Sequence, residues 1–161
     1  MTTIRPARPA EYPVIGEIAA NAYAEAGNLP ADGSYGPVLR DAADRADKAE
    51  LLVALDGDKP VGTVTVVRPD EPYAEICRPG ELEFRMLAVA PQAAGGGVGR
   101  RLVEAVFDRA RAEERGRVVL CVQDSAEVPR QLYHRLGFQR LPERDWSPKA
   151  DIRLLAYYLE L

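Results

Sequence analysis

Residues 81–122 constrain this chain more than any other stretch. Glu81-Leu82-Glu83-Phe84-Arg85-Met86-Leu87-Ala88-Val89 reads as a strand, alternating charged and apolar residues at its start and apolar on both faces only in its second half. Pro91 ends it and a glycine cluster follows. Val98, Leu102, Val103, Val106, Phe107 and Ala110 then mark one face of a helix reaching about Arg115, which Gly116 stops. Val118-Val119-Leu120-Cys121-Val122 is a continuous apolar run, the pattern of a strand buried on both faces. A strand, helix, strand order of this kind requires a parallel crossover pair. The glycines therefore lie at the carboxyl end of a parallel strand.

The rest of the chain supplies antiparallel strands and helices. Thr3-Ile4-Arg5 is a short strand, and Val14, Ile15, Ile18, Ala19, Ala22 and Tyr23 recur at helical spacing, predicting a helix over 12–26. Residues 27–37, rich in glycine and proline, read as a loop, and 38–48 as a second, strongly charged helix. Residues 51–55 and 61–67 form a hairpin around Asp56-Gly57-Asp58-Lys59. A proline-rich connection over 69–80 precedes the strand at 81. A further helix over 126–136 ends at Gly137 and tolerates Pro129 because that residue falls near its first turn. Residues 152–161 close the chain as a last strand. The expected class is α/β (α+β): a mixed, largely antiparallel sheet of about seven strands with one parallel crossover pair, flanked by about four helices. No repeat or linker interrupts the order, so 1–161 is expected to be a single domain.

Bulk properties narrow the function. The chain has 161 residues, 47% apolar and 29% charged, enough for one domain with a real core. A net charge of -4, from 25 acidic and 21 basic residues, gives no overall case for a nucleic-acid partner. Two distant cysteines and one histidine suit neither a disulfide framework nor a zinc site, so no metal is expected. The first residues show none of the long apolar stretch expected of a secretory signal, and no run approaches the roughly 20 apolar residues of a membrane span. A cytoplasmic protein without a membrane partner is the expectation.

A diphosphate needs several backbone N–H groups aimed at one point, which a helix start supplies with the positive end of its dipole. Gly95, Gly96, Gly97 and Gly99 let a ligand approach that backbone, and Arg100 and Arg101 stand in the first turn, where their charge opposes the dipole unless an anion is present. A glycine cluster alone marks a loop more often than a ligand. This one is no Walker motif, because no Lys-Ser or Lys-Thr follows it. It is no dinucleotide fingerprint either: it follows a hairpin deep in the chain, and no acidic residue ends a strand about 20 residues later.

Two blocks make the reading specific. Arg85-Met86-Leu87-Ala88-Val89-Ala90-Pro91 followed by Gly95-Gly96-Gly97-Val98-Gly99-Arg100-Arg101-Leu102-Val103 resembles the coenzyme A-binding motif of the GNAT superfamily of N-acetyltransferases, Q/R-x-x-G-x-G/A. Leu132-Tyr133-His134-Arg135-Leu136-Gly137-Phe138 resembles the family's helix-ending L-Y-x-x-L-G-F signature. The order of elements follows the family along the whole chain. The distinctive parts are 81–103 and 126–138. Ala94 stands at the family's Gln or Arg position, although Gln92 with Gly95 and Gly97 also fits the literal pattern. Losing that side chain removes one phosphate donor and leaves the backbone donors, so weaker binding is expected. Ala126 and Pro129 depart from residues often found in the last helix.

The resemblance implies acetyl-CoA as co-substrate. It implies coenzyme contacts at Leu87, Ala88 and Val89, where the pantetheine arm pairs like an extra strand, and at Ala94, Gly95, Gly96, Gly97, Val98, Gly99 and Arg100. Transfer from a thioester to an amine needs a base for the ammonium proton and a donor for the departing thiolate. The resemblance gives the donor role to Tyr133, whose alternative is a packed structural tyrosine. It gives the base to Glu83; Glu81 on the same strand face, or ordered water, are the other candidates. His134, about 100° around the helix from Tyr133, reads as a surface residue, Cys121 as a core residue, and Trp146 as packing or an acceptor-site wall. Direct transfer in a ternary complex is thus expected, with the amine acceptor met by loops 27–37 and 69–80, whose Asp32, Asp70, Glu71 and Glu75 would suit a cation. A homodimer is compatible with this, as is a non-catalytic acyl-CoA-binding sensor on the same fold.

Overall fold

The computed structural model describes residues 2–30 and 33–161, which leaves the Asp32 of the first acceptor loop outside the described residues. In chain order the elements are β1 (Thr2–Pro6), α1 (Tyr12–Glu25), α2 (Tyr35–Arg40), α3 (Ala42–Lys48), β2 (Glu50–Asp56), β3 (Lys59–Val67), β4 (Glu81–Val89), α4 (Val98–Ala112), β5 (Arg117–Gln123), α5 (Glu127–Arg135), β6 (Gln139–Arg140), β7 (Trp146–Lys149) and β8 (Ile152–Glu160). The strands form one sheet in the order β1-β2-β3-β4-β5-β8-β6, with β7 added on β8. β4 and β5 run parallel, and every other neighbouring pair is antiparallel. The crossover read from residues 81–122 is therefore present. Its helix, α4, buries Val98, Leu102, Val103, Val106, Phe107 and Ala110, the face given by their spacing.

The described residues hold eight strands and five helices where about seven and about four were expected. The two strands without a counterpart among the stretches read from the sequence, β6 and β7, are two and four residues long, too short to show a period. The extra helix arises because 38–48 is not one helix. The chain leaves helical geometry at Asp41 (φ -84°, ψ 66°), whose carboxylate accepts from the Asp44 N–H at 3.1 Å and starts α3 afresh. Buried Arg45 donates to the Val38 and Leu39 carbonyls, both at 2.9 Å, satisfying groups that α2 leaves open at its end. α2 also begins at Tyr35, inside the stretch read as loop, because Gly36 and Pro37 fall in its first turn. α4 stops at Ala112, earlier than Gly116, once Glu114 takes a left-handed turn (φ 56°).

Both sheet faces are covered. On one side α4 and α5 pack on Leu52, Val64, Val66, Leu82, Phe84, Val118, Leu120 and Tyr157. On the other, α1 and its neighbours pack on Val67, Met86, Ala88 and Ala90. β4 contributes to both sides through one irregularity. Met86 adopts φ 59°, and the pairing with β3 slips by one residue between Thr63↔Ala88 and Thr65↔Arg85. That bulge reverses the alternation of side chains. Leu82 and Phe84 point to the α4 side upstream of it, whereas Leu87 and Val89 do so downstream. Among the described residues no helix is long and apolar enough to cross a membrane.

Candidate active site

The glycine turn has the geometry of an anion seat. Gly95 (φ 80°) and Gly97 (φ 82°) are both left-handed, a conformation that costs an L-residue about 1–2 kcal/mol and glycine almost nothing. Gly97 is the N-cap of α4 and supplies no side-chain cap, so the first N–H groups of the helix are left without an intrahelical acceptor. A Cβ built on Gly97 meets nothing within 4 Å, so the space above the turn is open. Gly62 on β3 lets α4 come close: a Cβ there would lie 2.9 Å from Val98 Cγ1. Arg100 faces this space but pairs with Glu104 at 3.6 Å, while Arg101 turns away and donates to the Thr2 carbonyl at 3.3 Å. Of the two cations beside the turn, only Arg100 faces the open space.

The same parallel pair opens next to it. β4 and β5 are paired only from Glu81↔Arg117 to Phe84↔Leu120. Beyond that register they part, so the β4 backbone from Arg85 to Val89 keeps an unpaired edge toward a cleft of about 970 Å³. This is why Cys121 and Val122 are half-buried, although their apolar run predicted full burial. Leu87, Ala88, Val89, Ala94, Gly95, Gly97, Val98, Gly99 and Arg100 all line the cleft. Gly96 and Gln92 do not, which favours the register with Ala94 at the motif's polar position. α5 closes the opposite wall with Val128, Pro129, Leu132, Tyr133 and Arg135. Pro129 is tolerated as expected, in the helix's first turn.

Tyr133 sits where the two halves of the cleft meet. Its ring packs edge-on against Phe84 and Phe138, both at 5.8 Å between centroids, and it is only 5% exposed. Burial alone pushes its hydroxyl well above the ordinary tyrosine range, so the proton stays on the oxygen. The hydroxyl has no hydrogen-bond partner among the described residues and is free to donate into the cleft. His134, next to it, is exposed and stacks edge-on against Tyr157 at 5.9 Å.

The far half of the cleft is polar and aromatic. Tyr23 of α1 and Tyr35 of α2 stand 5.9 Å apart, and Arg85 donates to the Tyr35 hydroxyl at 3.3 Å and to the Tyr73 carbonyl at 3.0 Å. The Arg85 guanidinium pairs with Glu75 at 3.1 Å, and both residues line the cleft. Across the mouth, Lys149 donates to Ser34 Oγ at 2.9 Å. Glu83 lies behind this layer. It is 0% exposed, and one of its oxygens accepts from the N–H groups of Glu75, Ile76 and Cys77 at 3.0, 3.1 and 3.1 Å. Its second oxygen is buried without a partner. Glu81 is committed elsewhere, in a bidentate pair with Arg144 at 2.6 and 2.9 Å.

Burial, reinforced by the nearby Glu75 charge, raises the Glu83 pKa to about 7 in spite of the backbone donors. A carboxyl with a higher pKa folded than unfolded takes up a proton on folding. Its stabilising contribution is therefore greatest below the ordinary carboxylate range and is lost as pH rises through about 7. The shift from 4.5 corresponds to roughly 3 kcal/mol across that window. Melting temperature should fall between pH 5 and 7.5, and Glu83→Gln should flatten the slope. Parallel curves for the two proteins would show that the raised carboxyl is elsewhere.

Tyr23, Tyr35 and Arg85 also line the cleft, and no signal in the sequence pointed to them. Tyr23 has the helical spacing of a core position, Tyr35 fell in a presumed loop, and Arg85 read as a strand charge. Only the placement of α1 and α2 over the parted strands brings them together. Trp146 is 37% exposed on β7 beside Cys121.

The comparisons with known proteins agree with this fold. The Acetyltransferase (GNAT) domain matches residues 47–140, more than half of the chain, and the protein belongs to that family of acyltransferases. Several solved structures share the fold over the full chain. An acetyltransferase of the GNAT family from Staphylococcus aureus Mu50 is 17% identical with a TM-score of 0.79, covering 100% of this chain and 99% of its own. The ribosomal-protein-S18-alanine N-acetyltransferase from Escherichia coli is 19% identical with a TM-score of 0.71, covering 99% and 94%. The protein yncA from Salmonella typhimurium, solved with its cofactor acetyl-CoA, is 22% identical with a TM-score of 0.68, covering 100% and 94%. No curated protein sequence matches the chain.

Proposed function

We propose that the protein moves an acetyl group from acetyl-CoA to a primary amine of a small molecule or peptide, by direct attack within a ternary complex, and that 1–161 acts as one catalytic domain. The observation that carries this reading is the free, protonated Tyr133 hydroxyl at the junction between the glycine-led half of the cleft and the Tyr23, Glu75 and Arg85 half. The pyrophosphate would rest on the N–H groups at Gly97, Val98, Gly99 and Arg100, next to Gly95, Gly96 and Ala94 in the turn. The pantetheine arm would pair along Leu87, Ala88 and Val89. Tyr133 would then donate to the departing sulfur, while a carboxylate in the Glu75 and Glu83 region takes the ammonium proton. Burial pushes the Cys77 and Cys121 thiols up to about 12, so neither offers a thiolate for an acyl-enzyme route. Both thiols are free, in keeping with a reducing, cytoplasmic setting.

Acetyl-CoA at about 100 times its dissociation constant should stabilise the protein by roughly 2.7 kcal/mol, read as a melting-temperature rise of about 5–10 °C. A panel of amines, amino acids and peptides should then reveal an acceptor by release of free coenzyme thiol. No thermal shift at millimolar acetyl-CoA would sink the reading. A shift without thiol release on any acceptor would favour an acyl-CoA-binding sensor.

A further inference from the structure

The two buried carboxylates below the acceptor half of the cleft are not equivalent. Glu83 is sealed behind the 75–77 backbone, which it grips through three N–H groups, and it does not line the cleft. Glu75, whose own N–H is one of those three, does line the cleft. There Arg85 holds it from one side at 3.1 Å, and Arg85 is itself fixed by Tyr35 and by the Tyr73 carbonyl. We propose that Glu75 is the carboxylate that meets the acceptor's ammonium group and takes its proton, and that Glu83 is a positioning residue that fixes the Glu75 backbone. The proposal rests on the acetyltransferase reading above.

The chemistry balances with these groups. The ammonium gives one proton to Glu75, which passes it to solvent. The free amine forms a C–N bond to the thioester carbonyl carbon, the C–S bond breaks, and the sulfur leaves with its electron pair and the Tyr133 proton. The second nitrogen proton, lost as the amide forms, restores Tyr133. The sum is ammonium plus acetyl-CoA to acetamide, coenzyme thiol and one proton. A base must be ionised to act, and the groups facing Glu75 set where that happens: Arg85 and Glu83 from β4, Tyr23 from α1, Tyr35 from α2 and Cys121 from β5. Burial raises Glu75 above the ordinary range, opposed by Arg85. The rate should therefore fall as the pH is lowered, and begin to do so above the ordinary carboxylate range.

The test compares Glu75→Gln and Glu83→Gln on the acceptor found in the thiol-release panel. Glu75→Gln should lower kcat at least about a hundredfold and erase the acid limb of the pH profile, with the acetyl-CoA thermal shift retained. Glu83→Gln keeps an oxygen for the backbone donors, so it should mainly raise KM for the amine and keep the acid limb. The reverse pattern overturns the proposal. A measurement independent of turnover uses carboxyl-labelled glutamate in the CoA-saturated protein, with n-butylammonium chloride as the probe. The Glu75 carboxyl resonance should move on addition and the Glu83 resonance should stay. A static Glu75 signal, or a shift confined to Glu83, overturns the assignment even if the acetyltransferase reading stands. Loss of the acetyl-CoA thermal shift in the unmutated protein strikes at that reading instead.

Discussion

Replacing Tyr133 with phenylalanine is expected to lower turnover at least about a hundredfold while leaving the acetyl-CoA-induced rise in melting temperature intact. The expectation follows from what the side chain does and does not touch. Its ring is fixed by Phe84, Phe138 and Tyr157, contacts that phenylalanine keeps. Its hydroxyl has no hydrogen-bond partner among the described residues, so removing it strands no protein donor or acceptor. On the proposed reading, what disappears is a proton held in place for a thiolate that forms only as the C–S bond breaks, an interaction made in the transition state alone. The loss should thus appear in kcat, with the KM for acetyl-CoA nearly unchanged. Full turnover in the variant would remove Tyr133 from the reaction and leave the ring as packing.

The second large effect concerns the start of α4. Gly97→Asp should weaken acetyl-CoA binding at least about a hundredfold, or roughly 2.8 kcal/mol, by setting a carboxylate in the open space where the N–H groups converge. Gly97→Asn is the control. Asparagine and aspartate both tolerate the left-handed backbone that Gly97 adopts, at φ 82°, better than other residues do, and they match in shape. The two variants should therefore melt at similar temperatures without ligand and differ in affinity for acetyl-CoA by most of the aspartate effect. Equal affinities would mean that the diphosphate sits elsewhere.

The parts of this molecule legible in the sequence are those whose signal is local. The α4 face, the β4 and β5 runs and the glycine turn carry periodicity or backbone chemistry in a few consecutive residues, and the structure has them where the pattern put them. The Leu-Tyr block placed Tyr133 on a helix, and its position over the cleft follows from the crossover. The break at Asp41 was less visible because a charged helix and a capped pair of helices have similar composition. β6 and β7 are additions to β8 that depend on their partner. The half of the cleft away from the glycine turn was the least legible. Its walls come from Tyr23, Tyr35, Glu75 and Arg85, separated by up to 62 residues, and neither their types nor their spacings differ from ordinary surface positions. Resemblance assigned the base role to Glu83 and set Glu75 among four loop acids suited to a cation, without showing which carboxylate is sealed. Only the loop that wraps the Glu83 carboxylate separates them.

The bulge at Met86 has a bearing on how such an enzyme could change its clientele. Upstream of it, Glu83 and Arg85 lie on the side of β4 away from α4, which the proposed reading gives to the acceptor; downstream, Leu87 and Val89 lie on the α4 side, which it gives to the donor. One residue out of step thus divides a single strand into two independently editable stretches. On the proposed reading, substitutions at Glu75, Glu83 and Arg85 would retune which amine is welcomed without disturbing the grip on the coenzyme, and changes after Met86 would do the converse. A lineage could exchange acceptors many times on an unaltered donor platform, with a single displaced residue as the partition between them.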